Sequence, residues 1–194
     1  MDRKKQRRAK PSQNNSHDPK RRVFLDIPYH RNFRNYERAI VTTLLTYGLR
    51  PVIAKDSKKT ALILEDVCEL IRSAKYAVVD ISGLNFNVAF EAGYLHALGG
   101  RNFILLKNKG TSVPADLQGL KYNEYSSSNT LAKTLTVWLK QNVPEAKLSP
   151  HAGSIAKVIR KIMKDASVSE DMAKDMLLTM MENLTKGDRI LPFN

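Results

Sequence analysis

The sequence predicts an α/β fold, a doubly wound parallel sheet with helices on both faces, followed by an α-helical hairpin. Short apolar runs typical of buried strands alternate along the chain with segments whose apolar residues recur at helical spacing. This regular alternation favours a parallel sheet joined by right-handed crossovers. The predicted strands are residues 23–27, 51–54, 76–81, 102–106 and 122–125.

The predicted helices carry their apolar residues on one face and end at recognisable signals. Gly48 and Gly99 each stand directly after such a segment, where a helix-ending glycine belongs. Gly93, inside the third helix, is expected to allow close contact between that helix and the sheet. The predicted helices are residues 36–47, 63–74, 88–98 and 130–141.

A flavodoxin-like strand order, 2-1-3-4-5, is the predicted arrangement of the sheet. It places the topological switch point between the first and third strands, beside residues 26–30 and 80–91. Ligands of open α/β sheets bind in the crevice at such points. Two segments that are distant in sequence therefore converge on one predicted crevice.

Charge and composition divide the chain into a basic tail, 1–22, an α/β domain, 23–143, and a helical hairpin, 150–194. The tail holds nine Lys or Arg and two Asp, so it supplies +7 of the net charge of +13. Because it cannot bury apolar area, we expect it to be disordered. The hairpin has two amphipathic stripes, and it either packs against the α/β domain or forms the interface of a homo-oligomer.

The basic tail has two interpretations that the sequence leaves open. It makes weak, non-specific contact with the phosphates of nucleic acid, or it only keeps the protein in solution. No base-reading element accompanies the charges.

The composition also excludes several classes of protein. No run approaches the ~18 continuous apolar residues that span a bilayer, and the N-terminus lacks the apolar segment of a secretory signal. We therefore expect a cytoplasmic protein without membrane contact. Cys68 is the only cysteine, which excludes an internal disulfide and a cysteine metal cage. The four histidines show no metal-binding spacing, and no metal or cofactor is expected.

The most informative segment is 80–100. Asp80 closes the third predicted strand, a Gly/Asn turn follows, and the next helix carries Glu91 near its first turn. Glu91 lies beside the apolar stripe of that helix and not on the opposite side. A carboxylate so placed belongs to the edge of a core or to the floor of a cleft.

Both carboxylates also have a structural interpretation. The helix dipole favours an acid in the first turn, although a capping box would need a hydroxyl or Asx residue at Val88. An acid at the end of a strand, such as Asp80, often caps the following turn.

The segment resembles the signature of the nucleoside 2-deoxyribosyltransferase-like superfamily, and its TIR-like branch, with bacterial nucleotide-hydrolysing members, is the more similar. A looser resemblance extends over 23–143. The deoxyribosyltransferases usually have an Asp six residues before the nucleophilic Glu, where this chain has Asn85, which cannot act as an acid or base. The matching positions are Asp80, Ser82, Gly83, Asn85, Asn87, Val88, Glu91, Gly93, Tyr94, Ala97, Leu98 and Gly99.

The resemblance implies a site around Glu91, which would be a nucleophile or a ribose-binding carboxylate. Asp80 and Asn85 would contact sugar hydroxyls, and backbone N–H groups near Gly83 would face a phosphate. Tyr29 would hydrogen-bond Glu91 or stack on a base, unless it is a surface aromatic. The expected substrate-binding residues are Tyr29, Asp80, Ser82, Gly83, Asn85 and Asn87.

The implied function is cleavage of the N-glycosidic bond of a nucleotide or nucleoside, NAD being the favoured substrate, in prokaryotic defence or nucleotide signalling. A carboxylate stabilises or captures the oxocarbenium-like state of such a reaction. Cationic nicotinamide leaves without a strong acid, so one Glu suffices. The alternative, favoured by Asn85, is a non-catalytic nucleotide-binding sensor or oligomerisation module.

Overall fold

The structure, a computed structural model, describes residues 18–28, 31–53, 63–83, 86–99, 102–113, 115 and 119–149. The strands in these ranges are β1 (Arg22–Asp26), β2 (Arg50–Ile53), β3 (Tyr76–Asp80), β4 (Asn102–Asn108) and β5 (Asn123–Tyr125). The α-helices are α1 (Arg34–Thr46), α2 (Ile63–Ser73), α3 (Phe86–Ala97) and α4 (Ser128–Asn142). Every strand and α-helix predicted for the α/β domain is present, with ends that differ from the predicted ones by at most two residues.

The strands form one parallel sheet in the order β2-β1-β3-β4-β5. The predicted fold class and strand order are therefore confirmed. Asp26 pairs in register with Val79, and Asp80 pairs with Leu106, so the carboxyl ends of β1, β3 and β4 meet at one edge of the sheet. This edge is where the order reverses between β1 and β3.

Apolar side chains cover both faces of the sheet, and each fully buried one contributes roughly 1.5–3 kcal/mol. One face packs against α1 and α4, through Val23, Leu25, Ile40, Leu44, Val78, Ile104, Leu106, Leu131, Leu135 and Leu139. The other packs against α2 and α3, through Phe24, Val67, Ile71, Ala77, Val79, Val88, Ala92, Leu95 and Leu105.

Alternation along the strands decides which face each terminal carboxylate joins. Leu25 faces α1 and α4, so Asp26, the next residue, faces α2 and α3. Val79 faces α2 and α3, so Asp80 faces the opposite layer. The two aspartates therefore end neighbouring strands but lie on different faces of the sheet.

Two helices end at the glycines that the sequence predicted, and a third helix begins at a capping residue that it did not predict. Gly48 and Gly99 have φ of +68° and +56°, the left-handed conformation of a helix-ending glycine. α4 begins before the predicted residue because Ser127 caps it. The Ser127 side chain accepts a hydrogen bond from the Thr130 N–H at 3.2 Å, and the Thr130 hydroxyl oxygen accepts one from the Ser127 N–H at 2.9 Å.

The expectation for Gly93 was wrong. Among the described residues, no atom lies within 4 Å of a Cβ added at this glycine, and the residue is exposed. The close packing of α3 on the sheet comes instead from Ala92, which is 1 % exposed. The absence of a side chain at position 93 therefore does not serve contact between α3 and the sheet.

The segment that follows α4 is tied to the amino-terminal edge of the sheet. Lys75 Nζ donates to Glu145 Oε1 at 2.7 Å, and the Tyr76 hydroxyl donates to Glu145 Oε2. Farther along, the Ser149 N–H donates to the Thr46 carbonyl at 2.9 Å. These contacts lie at the edge opposite the carboxyl ends of the strands.

The predicted hairpin, 150–194, lies outside the described residues. Of the predicted tail, residues 18–22 are described, and they comprise Asp18, a 3-10 turn (Pro19–Arg21) and the first residue of β1. In the part of the chain that the structure describes, no helix is long and apolar enough to cross a membrane.

Candidate functional site

Polar side chains gather at the carboxyl edge of the sheet. Asp26, Asp80, Asn108 and Tyr125 are the last residues of β1, β3, β4 and β5. Asp26 and Asp80 are 3 % and 0 % exposed, which is unusual for carboxyl groups unless they are paired or neutral. The carboxyl edge of the sheet is therefore the candidate functional site.

Glu91 reaches this edge from α3. Val88, Ala92 and Leu95 bury the helix against the sheet, and Glu91 is half-buried on the flank beside them. Its carboxyl group is hydrogen-bonded to the carboxyl group of Asp26. The structure thus confirms that Glu91 lies beside the packed stripe and places it against the end of the first strand.

Burial raises the pKa of both carboxyl groups of this pair. Burial raises the pKa of Asp26 to about 9, helped by the charge of Glu91, the hydrogen bond to Glu91 and the charge of Asp80. Burial also raises the pKa of Glu91, but the hydrogen bond from Asp26 opposes that rise. Burial therefore favours the neutral form of both carboxyl groups, and it acts most strongly on Asp26, the more deeply buried of the two.

Asp80 belongs to a second group, on the α1 and α4 face. Its Oδ1 accepts a hydrogen bond from the Ser82 N–H at 2.8 Å, which is the turn-capping contact that a strand-terminal aspartate often makes. The Tyr125 hydroxyl also interacts with Asp80, through its charge and through a hydrogen bond. Burial, followed by the charge of Asp80, raises the pKa of Tyr125, so this hydroxyl stays protonated.

Ser82 connects these groups to β4 and α1. Its hydroxyl lies 3.1 Å from the Tyr125 hydroxyl, and its Oγ accepts a hydrogen bond from the Asn108 N–H at 2.7 Å. The Asn108 side chain in turn donates to the Tyr36 hydroxyl at 3.2 Å. The edge of the sheet is thus held by a continuous hydrogen-bond network that runs from α1 to the turn after β3.

The predicted site residues are distributed unevenly over this edge. Glu91 and Asp80 both raise the pKa of Asp26, and the Ser82 N–H donates a hydrogen bond to Asp80. Asn87 is exposed on α3, one turn before Glu91, and Gly83 ends the 3-10 turn that follows β3. The other two predicted residues, Tyr29 and Asn85, lie outside the described residues.

Sequence reasoning missed Asp26 as a site residue, although a signal was available. Asp26 closes an apolar strand at the predicted switch point, as Asp80 does, and that position alone made it a candidate. Tyr125 and Asn108 gave no such signal, because only the register between β4 and β5 brings them to Ser82.

Among the described residues, no group of three or more His, Cys, Asp or Glu side chains could hold a metal ion. The described side chains at this edge offer carboxyl and hydroxyl groups.

Comparison with known proteins identifies the family. The model of the TIR domain of CAP12/Pycsar effector proteins matches residues 29–127, which are 99 of the 194 residues and include Asp80, Ser82 and Glu91. No curated protein matches the chain. The TIR-like part of the predicted resemblance is confirmed, whereas the deoxyribosyltransferase part gains no support. The chain belongs to the CAP12/Pycsar effector family, of which it carries the TIR domain.

Proposed function

We propose that this chain cleaves the N-glycosidic bond of a nucleotide or nucleoside, with NAD as the favoured substrate and Glu91 as the catalytic carboxylate. The observation that carries the proposal is the half-buried carboxyl group of Glu91, which is hydrogen-bonded to Asp26 at the switch point. The effector description of the family supports a role in prokaryotic defence.

The chemistry needs few groups when the leaving base is a cationic pyridinium. The bond between the anomeric carbon and the ring nitrogen breaks, its electron pair neutralises the ring, and positive charge develops on the sugar. A carboxylate stabilises that charge, or it captures the carbon as an ester. Water then adds to the anomeric carbon and releases one proton, and in the second case the ester bond breaks as the new carbon–oxygen bond forms. Glu91 is the group that would face the sugar.

The remaining predicted residues are assigned to binding. Asn87, exposed one turn before Glu91, is placed to contact a sugar hydroxyl or a phosphate at the start of α3. Asp80 and Ser82 belong to the hydrogen-bond network that includes Tyr125 and Asn108. In this proposal they form the floor of the crevice. Tyr29, Gly83 and Asn85 keep their predicted binding roles.

The proposal is tested by incubating the purified chain with NAD, deoxynucleosides and nucleoside monophosphates and following the released base by chromatography. We expect release with the wild type and a loss of at least ~100-fold in Glu91→Gln, which keeps the shape but removes the charge. Glu69→Gln, an exposed position on α2, makes the same charge change away from the crevice and is the control. Unchanged turnover in Glu91→Gln eliminates the role assigned to Glu91.

The second candidate is a non-catalytic nucleotide sensor or oligomerisation module. It is favoured by Asn85, which replaces the acid of the transferases, and it would use the segment 150–194 to form a homo-oligomer. Binding of NAD measured by calorimetry, without release of base from any substrate tested, would favour the sensor over the enzyme.

A contact of the basic tail with nucleic acid is a separate proposal. Because Arg21 donates to the Gly48 carbonyl at 3.0 Å, a deletion should stop at residue 17. Salt-sensitive binding to DNA or RNA should disappear with this deletion. Binding that persists in the truncated chain excludes the tail as its source.

A further inference from the structure

We infer that Asp26 is a positioning residue, which keeps its proton in the folded protein and donates it in a hydrogen bond that holds Glu91 as a carboxylate at the crevice. The mechanism proposed above needs one carboxylate and leaves Asp26 without a task. The catalytic consequences of this inference rest on the proposed function, whereas the location of the proton does not.

The position of Asp26 makes it a rigid donor. It ends β1, which lies inside the sheet between β2 and β3, and its backbone is paired in register with Val79. The side chain faces the α2 and α3 layer and is 3 % exposed. Glu91, by contrast, is half-buried on a longer side chain. The fixed carboxyl group of Asp26 therefore orients the more mobile one.

The surroundings of Asp26 favour the neutral form. Among the described residues, the titratable groups that act on it are Glu91 from α3 and Asp80 from β3, and both are acids. Lys107, on β4, forms an ion pair with Glu124, in which Nζ lies 2.9 Å from Oε1. The charged side chains of α2 are not among the groups that act on Asp26 (Glu65, Asp66, Glu69 and Arg72).

The hydrogen-bond count leads to the same conclusion. Asp26 Oδ2 is buried and has no hydrogen-bond partner among the described residues. An unsatisfied oxygen costs far less on a neutral carboxyl than on a carboxylate, which needs several donors when it is buried. The pKa of Asp26, raised by burial and then by the two acids, has the direction that this geometry requires.

The donor has a specific effect on Glu91. Burial raises the pKa of Glu91 above its ordinary value, and the hydrogen bond from Asp26 makes that rise smaller. Loss of the donor should leave more of Glu91 protonated, and therefore unable to stabilise positive charge on a sugar. Ionisation of Asp26 in alkaline solution should place two anions within hydrogen-bond distance and displace Glu91.

The location of the proton is tested on the full-length chain without substrate, by infrared spectroscopy of the C=O stretch of a protonated carboxyl group. We expect a band at neutral pH in the wild type that Asp26→Asn removes and that disappears as the pH rises through about 9. Thr43→Val, a buried polar change on α1, should leave the band in place. A neutral-pH spectrum with no band that Asp26→Asn removes overturns the inference, whatever the activity.

The effect on Glu91 is tested by the pH dependence of NAD cleavage. The amide of Asp26→Asn can still donate but cannot ionise, so we expect a rate within ~10-fold of the wild type at neutral pH and no alkaline decline. Asp26→Leu should lose at least ~100-fold at neutral pH, and its acid limb should move to higher pH.

Three outcomes separate the inference from the proposed function. If the cleavage rate of Asp26→Asn falls at alkaline pH as the wild-type rate does, the positioning role is overturned. This result holds even if Asp26→Leu fails to fold. Wild-type rates and pH profile in a folded Asp26→Leu overturn it as well. If the wild type cleaves no substrate while the infrared band is present, the proposed function fails and the assignment of the proton stands.

Discussion

The hydroxyl groups of Tyr125 and Ser82 lie 3.1 Å apart and join β5 to the turn that follows β3. Because Ser82 Oγ also accepts from the Asn108 N–H, the pair links three strands at the edge where the site lies. Asp80 is bonded to the same turn, so the hydroxyl pair also fixes a carboxylate. The rigidity of this edge therefore depends on side chains as well as on the sheet.

Tyr125→Phe should lower the free energy of unfolding by about 1–2 kcal/mol, because it leaves buried polar partners without the hydroxyl. Urea denaturation measures the change. Tyr47→Phe is the matched control, because Tyr47 packs on the same core and this substitution also removes only a hydroxyl group. Equal midpoints for Tyr125→Phe and Tyr47→Phe would contradict the structural role of the network.

Asp26 should make the protein less stable as the pH rises. Its pKa is about 9 in the folded chain and 3.8 as a reference value, so between these limits the native state holds a proton that the unfolded chain lacks. Stability falls with pH wherever the native state binds more protons, by at most about 1.4 kcal/mol per pH unit for one group. Asp26→Asn removes this contribution and should gain stability relative to the wild type across that window.

Urea denaturation at several values between about pH 5 and pH 8 checks the prediction. Glu69→Gln removes an exposed acid and should leave the slope as it is in the wild type. Parallel curves for wild type and Asp26→Asn would show that Asp26 is ionised in the folded protein, which also counts against its role as the donor to Glu91.

The fold was predictable from the sequence because its signals are local. Apolar runs, helical spacing and the glycines at positions 48 and 99 predicted every strand and α-helix of the sheet domain, and their alternation predicted a parallel sheet. The placement of Glu91 beside an apolar stripe was local in the same sense. The prediction for Gly93 was wrong because its small size was interpreted as a sign of close contact with the sheet, whereas position 93 is exposed.

The pairing at the site was less predictable because it depends on register. Asp26 and Asp80 look alike in the sequence, as acids that end apolar strands. Strand alternation sends them to opposite faces, one to Glu91 and the other to Ser82 and Tyr125. Only the pairing of the strands shows which of the two aspartates lies close enough to Glu91 to share a hydrogen bond with it.

Glu145 should stabilise the protein at neutral pH and lose that effect in acid. Burial would raise the pKa of Glu145, but hydrogen bonds from Lys75 and Tyr76 outweigh it and lower the pKa to about 2. The stabilisation is therefore fully present above the reference pKa of 4.5 and is lost as the pH falls toward 2. Glu145→Gln should cost roughly 1–2 kcal/mol at neutral pH and nearly nothing in strong acid.

Thermal or urea unfolding of wild type and Glu145→Gln across the acid range measures this difference. Tyr76→Phe removes one of the two donors and should give a smaller loss with the same pH dependence. A difference between wild type and Glu145→Gln that stays constant down to the lowest pH would exclude the carboxylate as its cause.

Two glycine substitutions should act in opposite directions, because one glycine is conformationally required and the other is not. Gly48 has φ of +68°, and an added Cβ would lie 3.0 Å from Arg21 Nη1, so Gly48→Ala should destabilise by about 1–2 kcal/mol. Gly93 lies inside α3, and no atom of the described residues lies within 4 Å of an added Cβ, so Gly93→Ala should stabilise by about 0.5–1 kcal/mol. Urea denaturation of both variants at one pH gives the sign of each change. A loss of stability in Gly93→Ala would mean that a neighbour occupies the space beside α3, and a neutral Gly48→Ala would mean that α1 ends without left-handed backbone.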